Sequence, residues 1–399
     1  MWRSRRSLLV ITGLALVSVA AFFVMSRDAD AASIAECVAA HQDQQQTQID
    51  CLYGLIEARM RAAGITEAML LFQRVYDLSD VFAKTGCHTH AHRVGDMAYY
   101  QYYVPTRDLD SLQLEGETGA CGYGFYHGLI EHLIQEHPDP AFVTETCERL
   151  DARIRPELGD IRPICYHGSG HGFMLRHVED LPIDAWGDID RFVEEPLKRC
   201  GELIRATERE REECEEGVYN VIVEWMETKQ FGFAYDYDDP FPQCDTASEE
   251  RYRRACYYEV AMKLDARAKG SPARLYEMIE SVDAAYRTMV FSVGIAGMVQ
   301  PLADSDGFRT LVDECLALRG EYVWLCLTNV LHGLFEHGQP GEEYRKPLLV
   351  CTDSRLPTLG LEDDCYAFIA WKLPRFYDAS RRVEICAEVP DAYRASCAG

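Results

Sequence analysis

Histidines are concentrated in one part of the chain, where nine of the 12 lie between residues 88 and 177. Five of them and one glutamate form three pairs spaced four residues apart, and side chains at this spacing share one face of a helix. The six candidates are His88, His92, His127, Glu131, His167 and His171. Imidazoles with a carboxylate among them suit Zn, Fe, Cu or Ni. The pattern therefore predicts a divalent transition-metal site.

The six candidates have different expected roles. His92, His127 and His171 stand five or six residues after a cysteine, so we expect them to project side by side from neighbouring helices as direct ligands. The other three would be further ligands or a general base: His88, His167 and Glu131. Any one of these histidines also fits a packing role on a buried helix face, because other copies of the repeat carry Asn, Met or Trp at the sixth position.

Sixteen cysteines set the frame that positions these side chains. Seven of the eight sequential pairs have 10 to 17 residues between their members, and one pair has 33. The pairs are Cys37 with Cys51, Cys87 with Cys121, Cys147 with Cys165, Cys200 with Cys214, Cys244 with Cys256, Cys315 with Cys326, Cys351 with Cys365, and Cys386 with Cys397. Such cysteine usage is typical of an exported protein with disulfides.

The second cysteine of each pair opens an apolar run of helical length. In three copies a His-Gly dipeptide follows six residues later, at His127, His171 and His332. Residues 290–297 supply a further copy in which Val290 replaces the cysteine, so that the repeat step is 32 to 49 residues. That length is typical of a helical hairpin. We therefore predict an all-α fold of about nine disulfide-stapled hairpins, arranged as an open solenoid or a closed α/α toroid.

This architecture resembles that of secreted Sel1-like cysteine-rich solenoids and of tetratricopeptide-type repeats, in architecture alone. In each hairpin a disulfide would tie the late part of the first helix to the start of the second across a short turn. Antiparallel packing across such a turn brings the two Cα atoms within bonding reach.

The widely spaced pair Cys87 and Cys121 has two interpretations. In the favoured one, a disulfide joins neighbouring helices, as an oxidising compartment would promote. In the other, both are thiolate ligands of zinc beside His88 and His127, an arrangement that resembles the zinc site of lanthipeptide cyclases.

The N-terminus predicts export. Three arginines precede an uncharged apolar run at residues 8–25, and Ala29-Asp30-Ala31 offers a small-x-small cleavage site. Residues 1–31 are therefore expected to be a signal peptide or, if uncleaved, a membrane anchor. Because the arginines precede the apolar run, residues 32–399 would form a single extracytoplasmic domain, with a histidine-rich part at about 85–178.

The net charge of the chain limits the classes of partner that it can bind. The net charge of −25 excludes a surface for nucleic acid, and the acidic run Glu208–Glu216 predicts a solvated helix face. Repeat architecture favours a scaffold whose concave surface binds a protein, peptide or glycan, combined with the metal site. The alternative is a metal-dependent extracytoplasmic enzyme centred on residues 88–171, and a third is a structural protein without a ligand.

Overall fold

The computed structural model describes residues 29–84, 86–236, 240–299, 302 and 305–398. These residues form helices and turns without a strand, which confirms the all-α prediction. The apolar run 8–25, on which the predicted signal or anchor depends, lies outside the described residues. Within the described ranges, no helix is long and apolar enough to cross a membrane.

The chain divides into two units, the first ending at Ala83 and the second beginning at Lys84. The helices of the first part are α1 (29–40), α2 (Gln45–Ala63), α3 (Ile65–Leu78) and α4 (Asp80–Lys84). Their core is aromatic: Phe82 packs edge-on against Tyr53 and Phe72, with ring centroids 5.5 and 5.9 Å away. Asp30, which is 6% exposed, pairs with two arginines from α2 and α3.

The second unit holds the predicted site. Its helices are α5 (Cys87–Ala98), α6 (Val104–Thr106), α7 (Gly124–Glu136), α8 (Pro140–Leu158), α9 (Arg162–Val178), α10 (Ile189–Gly201), α11 (Glu208–Thr228), α12 (Pro242–Asp245), α13 (Glu250–Ala261), α14 (Asp265–Ala268), α15 (Pro272–Met278), α16 (Arg287–Val299), α17 (Phe308–Ala317), α18 (Glu321–Glu336), α19 (Arg345–Cys351), α20 (Arg355–Leu359), α21 (Glu362–Lys372), α22 (Ala379–Ala387) and α23 (Asp391–Ala398). Between α5 and α7 the chain forms a π-helical turn, Tyr99–Tyr103, and short 3-10 turns.

Capping residues explain where two helices next to the site, α8 and α11, begin. Asp139 caps α8, where its carboxylate accepts from two backbone amides at 3.0 Å and proline follows at the first helical position. Thr207 and Glu210 form a capping box at the start of α11, in which the Glu210 carboxylate accepts from the Thr207 amide at 2.6 Å.

All 16 cysteines form disulfides in the pairs that the spacing predicts, with Cα atoms 5.3 to 5.7 Å apart. The bonds join Cys37 to Cys51, Cys87 to Cys121, Cys147 to Cys165, Cys200 to Cys214, Cys244 to Cys256, Cys315 to Cys326, Cys351 to Cys365, and Cys386 to Cys397. Eight disulfides in one chain are typical of proteins outside the cytoplasm.

The widely spaced pair follows the favoured interpretation. The Cys87–Cys121 disulfide joins the first residue of α5 to the turn before α7. Because both sulfurs are bonded to each other, neither is a thiolate ligand. The cyclase-like interpretation of this pair is therefore wrong.

One series of helices packs in chain order, each helix against the next. The successive contacts are α5 with α7, α7 with α9, α9 with α11, α11 with α13, α13 with α16, α16 with α18, and α18 with α21. Glycines at the helix crossings, among them Gly128 and Gly172, bring the first helices of the series close together. A Cβ atom at Gly172 would stand 2.6 Å from that of Ile134, and one at Gly128 would overlap the carbonyl oxygen of His92. Only a residue without a side chain lets α5, α7 and α9 approach this closely.

Candidate metal centre

Two of the three expected direct ligands, His92 and His171, converge with Glu131, the expected further ligand or base, whereas His127 does not join this group. Glu131 on α7 lies between His92 on α5 and His171 on α9. Its Oε2 atom is 3.5 Å from Nε2 of His92 and 3.3 Å from Nδ1 of His171. The three candidate ligand atoms all lie within 4.8 Å of one another.

These separations suit a bound metal. Two ligand atoms of a tetrahedral zinc ion, each 2.0–2.1 Å from the metal, are about 3.4 Å apart. The two measured distances from Glu131 are 3.3 and 3.5 Å. Nε2 of His171 is buried and has no hydrogen-bond partner, so that ring makes no second bond that would fix it in place. Two imidazoles and a carboxylate are a ligand set used by zinc and by non-haem iron.

The other predicted histidines surround this group. The His127 ring lies against those of His167, His171 and His92, with centroids 5.0, 5.8 and 6.1 Å away. The His92 and His171 rings are 6.0 Å apart. His127 is 8% exposed, and its Nε2 atom is buried without a hydrogen-bond partner. With His88, whose ring centroid is 4.9 Å from that of His127, the five predicted histidines form one cluster on α5, α7 and α9.

A chain of hydrogen bonds leads from the backbone into this cluster. Nδ1 of His88 lies 3.0 Å from the carbonyl oxygen of Cys121, and Nε2 of His88 lies 3.1 Å from Nδ1 of His127. A carbonyl oxygen only accepts, so Nδ1 of His88 carries a proton. This series of hydrogen bonds begins at the carbonyl oxygen of Cys121 and ends at the His127 ring, whose Nε2 atom has no partner.

The turn that supplies this carbonyl has an unusual backbone. Cys121, Gly122 and Tyr123 are all left-handed, with φ of 59°, 62° and 63°. A non-glycine residue in this conformation costs roughly 1 kcal/mol, and such residues cluster at functional sites. The turn is held by the disulfide and by the Tyr123 hydroxyl, which donates to the carbonyl oxygen of Arg375 and lies 3.3 Å from that of Leu158.

Burial sets the protonation of the cluster. It lowers the pKa of His88 to about 4, helped by the neighbouring His92 and His337. Burial also lowers the pKa of His92, and lowers the pKa values of His127 and His167 well below the usual value. These imidazoles are neutral at pH 7, which is the form that binds metals.

Glu131 is ionised at the same pH. Burial alone would raise the pKa of its carboxyl group, but the hydrogen bond from His171 and the nearby His92 lower it overall. The group also remains reachable, because the side chains of His92 and Glu131 are 24% and 16% exposed. A metal ion would therefore meet a site that already has one negative charge, on Glu131, and a neutral imidazole at His92.

A second group of three lies on the next helix pair. Candidate ligand atoms of His167 on α9 and of Glu213 and Glu216 on α11 also lie within 4.8 Å of one another. Arg209 already pairs with both carboxylates, at 2.6 Å from Glu213 and 3.1 Å from Glu216. Burial, with repulsion from Glu213, raises the pKa of Glu216 to about 7. The resident guanidinium makes this group a poorer cation site than the first.

The prediction that Glu208–Glu216 forms a solvated face is therefore wrong for Glu210 and for the end of that run. Glu210, Glu215 and Glu216 are only 4%, 0% and 2% exposed. The repeat register carries the signal: Glu216 follows Cys214 by two residues, as His167 follows Cys165. Because most residues of this run are charged, the sequence alone does not show that one face of α11 packs against neighbouring helices.

The downstream copy of the histidine pattern does not reproduce the site. In the described part of the chain His332, Glu336 and His337 do not join either metal-compatible group. Glu336 instead accepts from the buried Lys372 at 2.7 Å. A Cβ atom at Gly122 would stand 2.6 Å from the Glu336 carboxylate and 3.4 Å from Nδ1 of His88. The end of α18 therefore lies next to the start of the His88 hydrogen-bond chain.

No protein-family model matches the chain, and no curated protein or solved structure is significantly similar to it.

Proposed function

We propose that this chain is an extracytoplasmic helical-repeat protein that binds a divalent transition metal through His92, Glu131 and His171. The observation that carries the proposal is the convergence of three ligand atoms from α5, α7 and α9, two of whose separations are those of a tetrahedral site. Burial keeps His92 neutral, and the neighbouring imidazoles keep Glu131 ionised. Nitrogen donors favour Zn, Fe, Cu or Ni over Mg or Ca.

The repeats are proposed to close into an α/α toroid around this site. Support comes from the contacts at the two ends of the helix series. The Tyr123 ring, just before α7, packs 6.3 Å from that of Phe376, just after α21. Gly122 touches Glu336 at the end of α18, as described above. In an open solenoid the first and last helices of the series would be separated. Recognition of a protein, peptide or glycan on a concave surface, and membrane attachment, remain predictions.

Metal analysis tests the proposal. The protein is purified from its native compartment without a histidine tag, and bound metals are measured by mass spectrometry before and after addition of Zn²⁺. We expect about one transition metal per chain, the content of a single site. His92→Ala and His171→Ala should each lose it, whereas His177→Ala, on the same helix as His171 but bonded to the carbonyl oxygen of Arg191, should retain it.

Two results would overturn the proposal. One is a chain that neither carries a transition metal nor takes up Zn²⁺ at micromolar concentration. The other is a bound metal that survives both the His92 and the His171 substitution. Disulfide content and thermal unfolding of each variant separate loss of ligand from loss of fold.

A further inference from the structure

The hydrogen bonds of the His88 chain fix which nitrogen of His127 is free. Because Nδ1 of His88 donates to the Cys121 carbonyl, the neutral His88 ring has a lone pair on Nε2. That lone pair must accept, so Nδ1 of His127 carries the proton in their 3.1 Å hydrogen bond. The remaining nitrogen of His127, Nε2, is then unprotonated. It is also the nitrogen that is buried without a partner.

The position of the ring agrees with a role for this lone pair. The rings of His92, His127 and His171 form a nearly equilateral triangle, with sides of 6.1, 6.0 and 5.8 Å. A point equidistant from the three centroids is about 3.4 Å from each, and a zinc ion bound at 2.0–2.1 Å lies about 3.2 Å from the centroid of its imidazole ring. As the side chains stand, His127 does not join the group of His92, Glu131 and His171, so its ring must rotate and shift toward the other two to bring all three nitrogens onto one ion.

We propose that His127 is the fourth ligand of the metal, through Nε2, and that His88 is the positioning residue that keeps this nitrogen unprotonated. The proposal rests on the metal site proposed above and completes it as three imidazoles and one carboxylate.

The left-handed turn has a defined part in this arrangement. It turns the Cys121 carbonyl oxygen toward His88, and the disulfide to Cys87 fixes the turn to the helix that carries His88. Gly122 is required where the turn meets His88 and Glu336, because a side chain there would crowd both. The widely spaced disulfide thus acts on the metal site through one carbonyl oxygen, without ligating the metal.

Substitutions at His88 separate hydrogen bonding from packing. Hydrogen bonds to metal ligands usually change affinity by about 10- to 100-fold when they are removed. Glutamine can donate its amide to the Cys121 carbonyl and accept from His127, as His88 does, whereas leucine fills similar space and accepts nothing. We expect His88→Gln to retain Zn²⁺ affinity within about threefold, and His88→Leu to lose about 10- to 100-fold. Affinity is measured by competition with a chelator.

Copper spectroscopy tests the ligand itself. In the Cu²⁺-loaded protein, nitrogen hyperfine structure should report three imidazoles, falling to two in His127→Ala, with His177→Ala unchanged. Equal affinities of His88→Gln and His88→Leu, or an unchanged nitrogen count in His127→Ala, would overturn the inference while leaving the three-ligand site intact. A wild-type protein that neither carries a transition metal nor takes up Zn²⁺ would instead refute the proposed function.

Discussion

Gly128 lies where α7 crosses α5, and replacing it with alanine tests how the site is assembled. The added Cβ atom would stand 2.8 Å from Oδ1 of Asp96 and 2.9 Å from the carbonyl carbon of His92, and closer still to the His92 oxygen. The contact with the His92 oxygen is the nearest and sets the movement: carbon approaches a carbonyl oxygen to about 3.3 Å, so the two helices must separate by roughly 1 Å or more.

The cost follows from what the methyl group meets. Overpacking a core lowers the free energy of unfolding by about 1–3 kcal/mol. We expect the upper end of this range because the added methyl group meets the backbone carbonyl of His92, which cannot rotate away as a side chain could. Alanine recovers up to about 1 kcal/mol as the better helix former. The net loss for Gly128→Ala is then about 2 kcal/mol, or roughly 2–3 °C in Tm for a chain of this length. The same separation moves His92 away from Glu131, so Zn²⁺ affinity should fall about tenfold.

The matched control is Gly54→Ala, in the exposed face of α2. No atom lies within 4 Å of a Cβ at that position, so the same substitution should stabilise the protein by about 0.5–1 kcal/mol. Both variants are compared with wild type by calorimetry with the disulfides intact and by Zn²⁺ competition. A Gly128→Ala protein with wild-type Tm and wild-type affinity would refute the close helix crossing as the basis of the site.

Three further outcomes are expected. Burial raises the pKa of Glu259 to about 8, so its contribution to stability is present below about pH 4.5 and is lost as the pH rises through about 8. In calorimetry, the Tm of Glu259→Gln should therefore rise relative to that of wild type between about pH 5 and 8. A Tm difference that stays constant over this range would contradict the expectation. Lys372→Met leaves the buried Glu336 carboxylate without its partner and should lower the free energy of unfolding by about 3–5 kcal/mol. The double variant Lys372→Met, Glu336→Gln should lose less than the sum of the two single variants, which a double-mutant cycle would measure. Thiol titration of the denatured, unreduced protein should detect no free cysteine, because all 16 are paired.

The cysteine spacing predicts the disulfide pairs because two cysteines joined by a short loop are the nearest possible partners for each other. Even Val290, which replaces a cysteine, is fully buried in α16 at the expected position. The convergence of His92, Glu131 and His171 also follows from the repeat, since equivalent positions of neighbouring helices meet on one side. Local spacing therefore predicts the disulfide pairs and brings together three side chains that could hold a metal ion.

Other features depend on contacts that local spacing does not encode. The role of His127 depends on a backbone carbonyl from a left-handed turn, and no residue pattern around Cys121 indicates that conformation. Glu336 and His88 lie on helices that are more than 200 residues apart in the sequence. A periodic pattern of residues does not predict contacts between such distant helices. Burial of Glu215 and Glu216 escapes prediction because carboxylates by default face water.

The order of the disulfides bears on how the chain matures. Every cysteine is bonded to the next one along the sequence or to the one before it, although 16 cysteines allow about two million pairings. A chain that emerges N-terminus first into an oxidising compartment meets its correct partners in that order. Each hairpin can thus be oxidised as it appears, and the protein should reach its native bonds with an oxidase alone, independent of a disulfide isomerase.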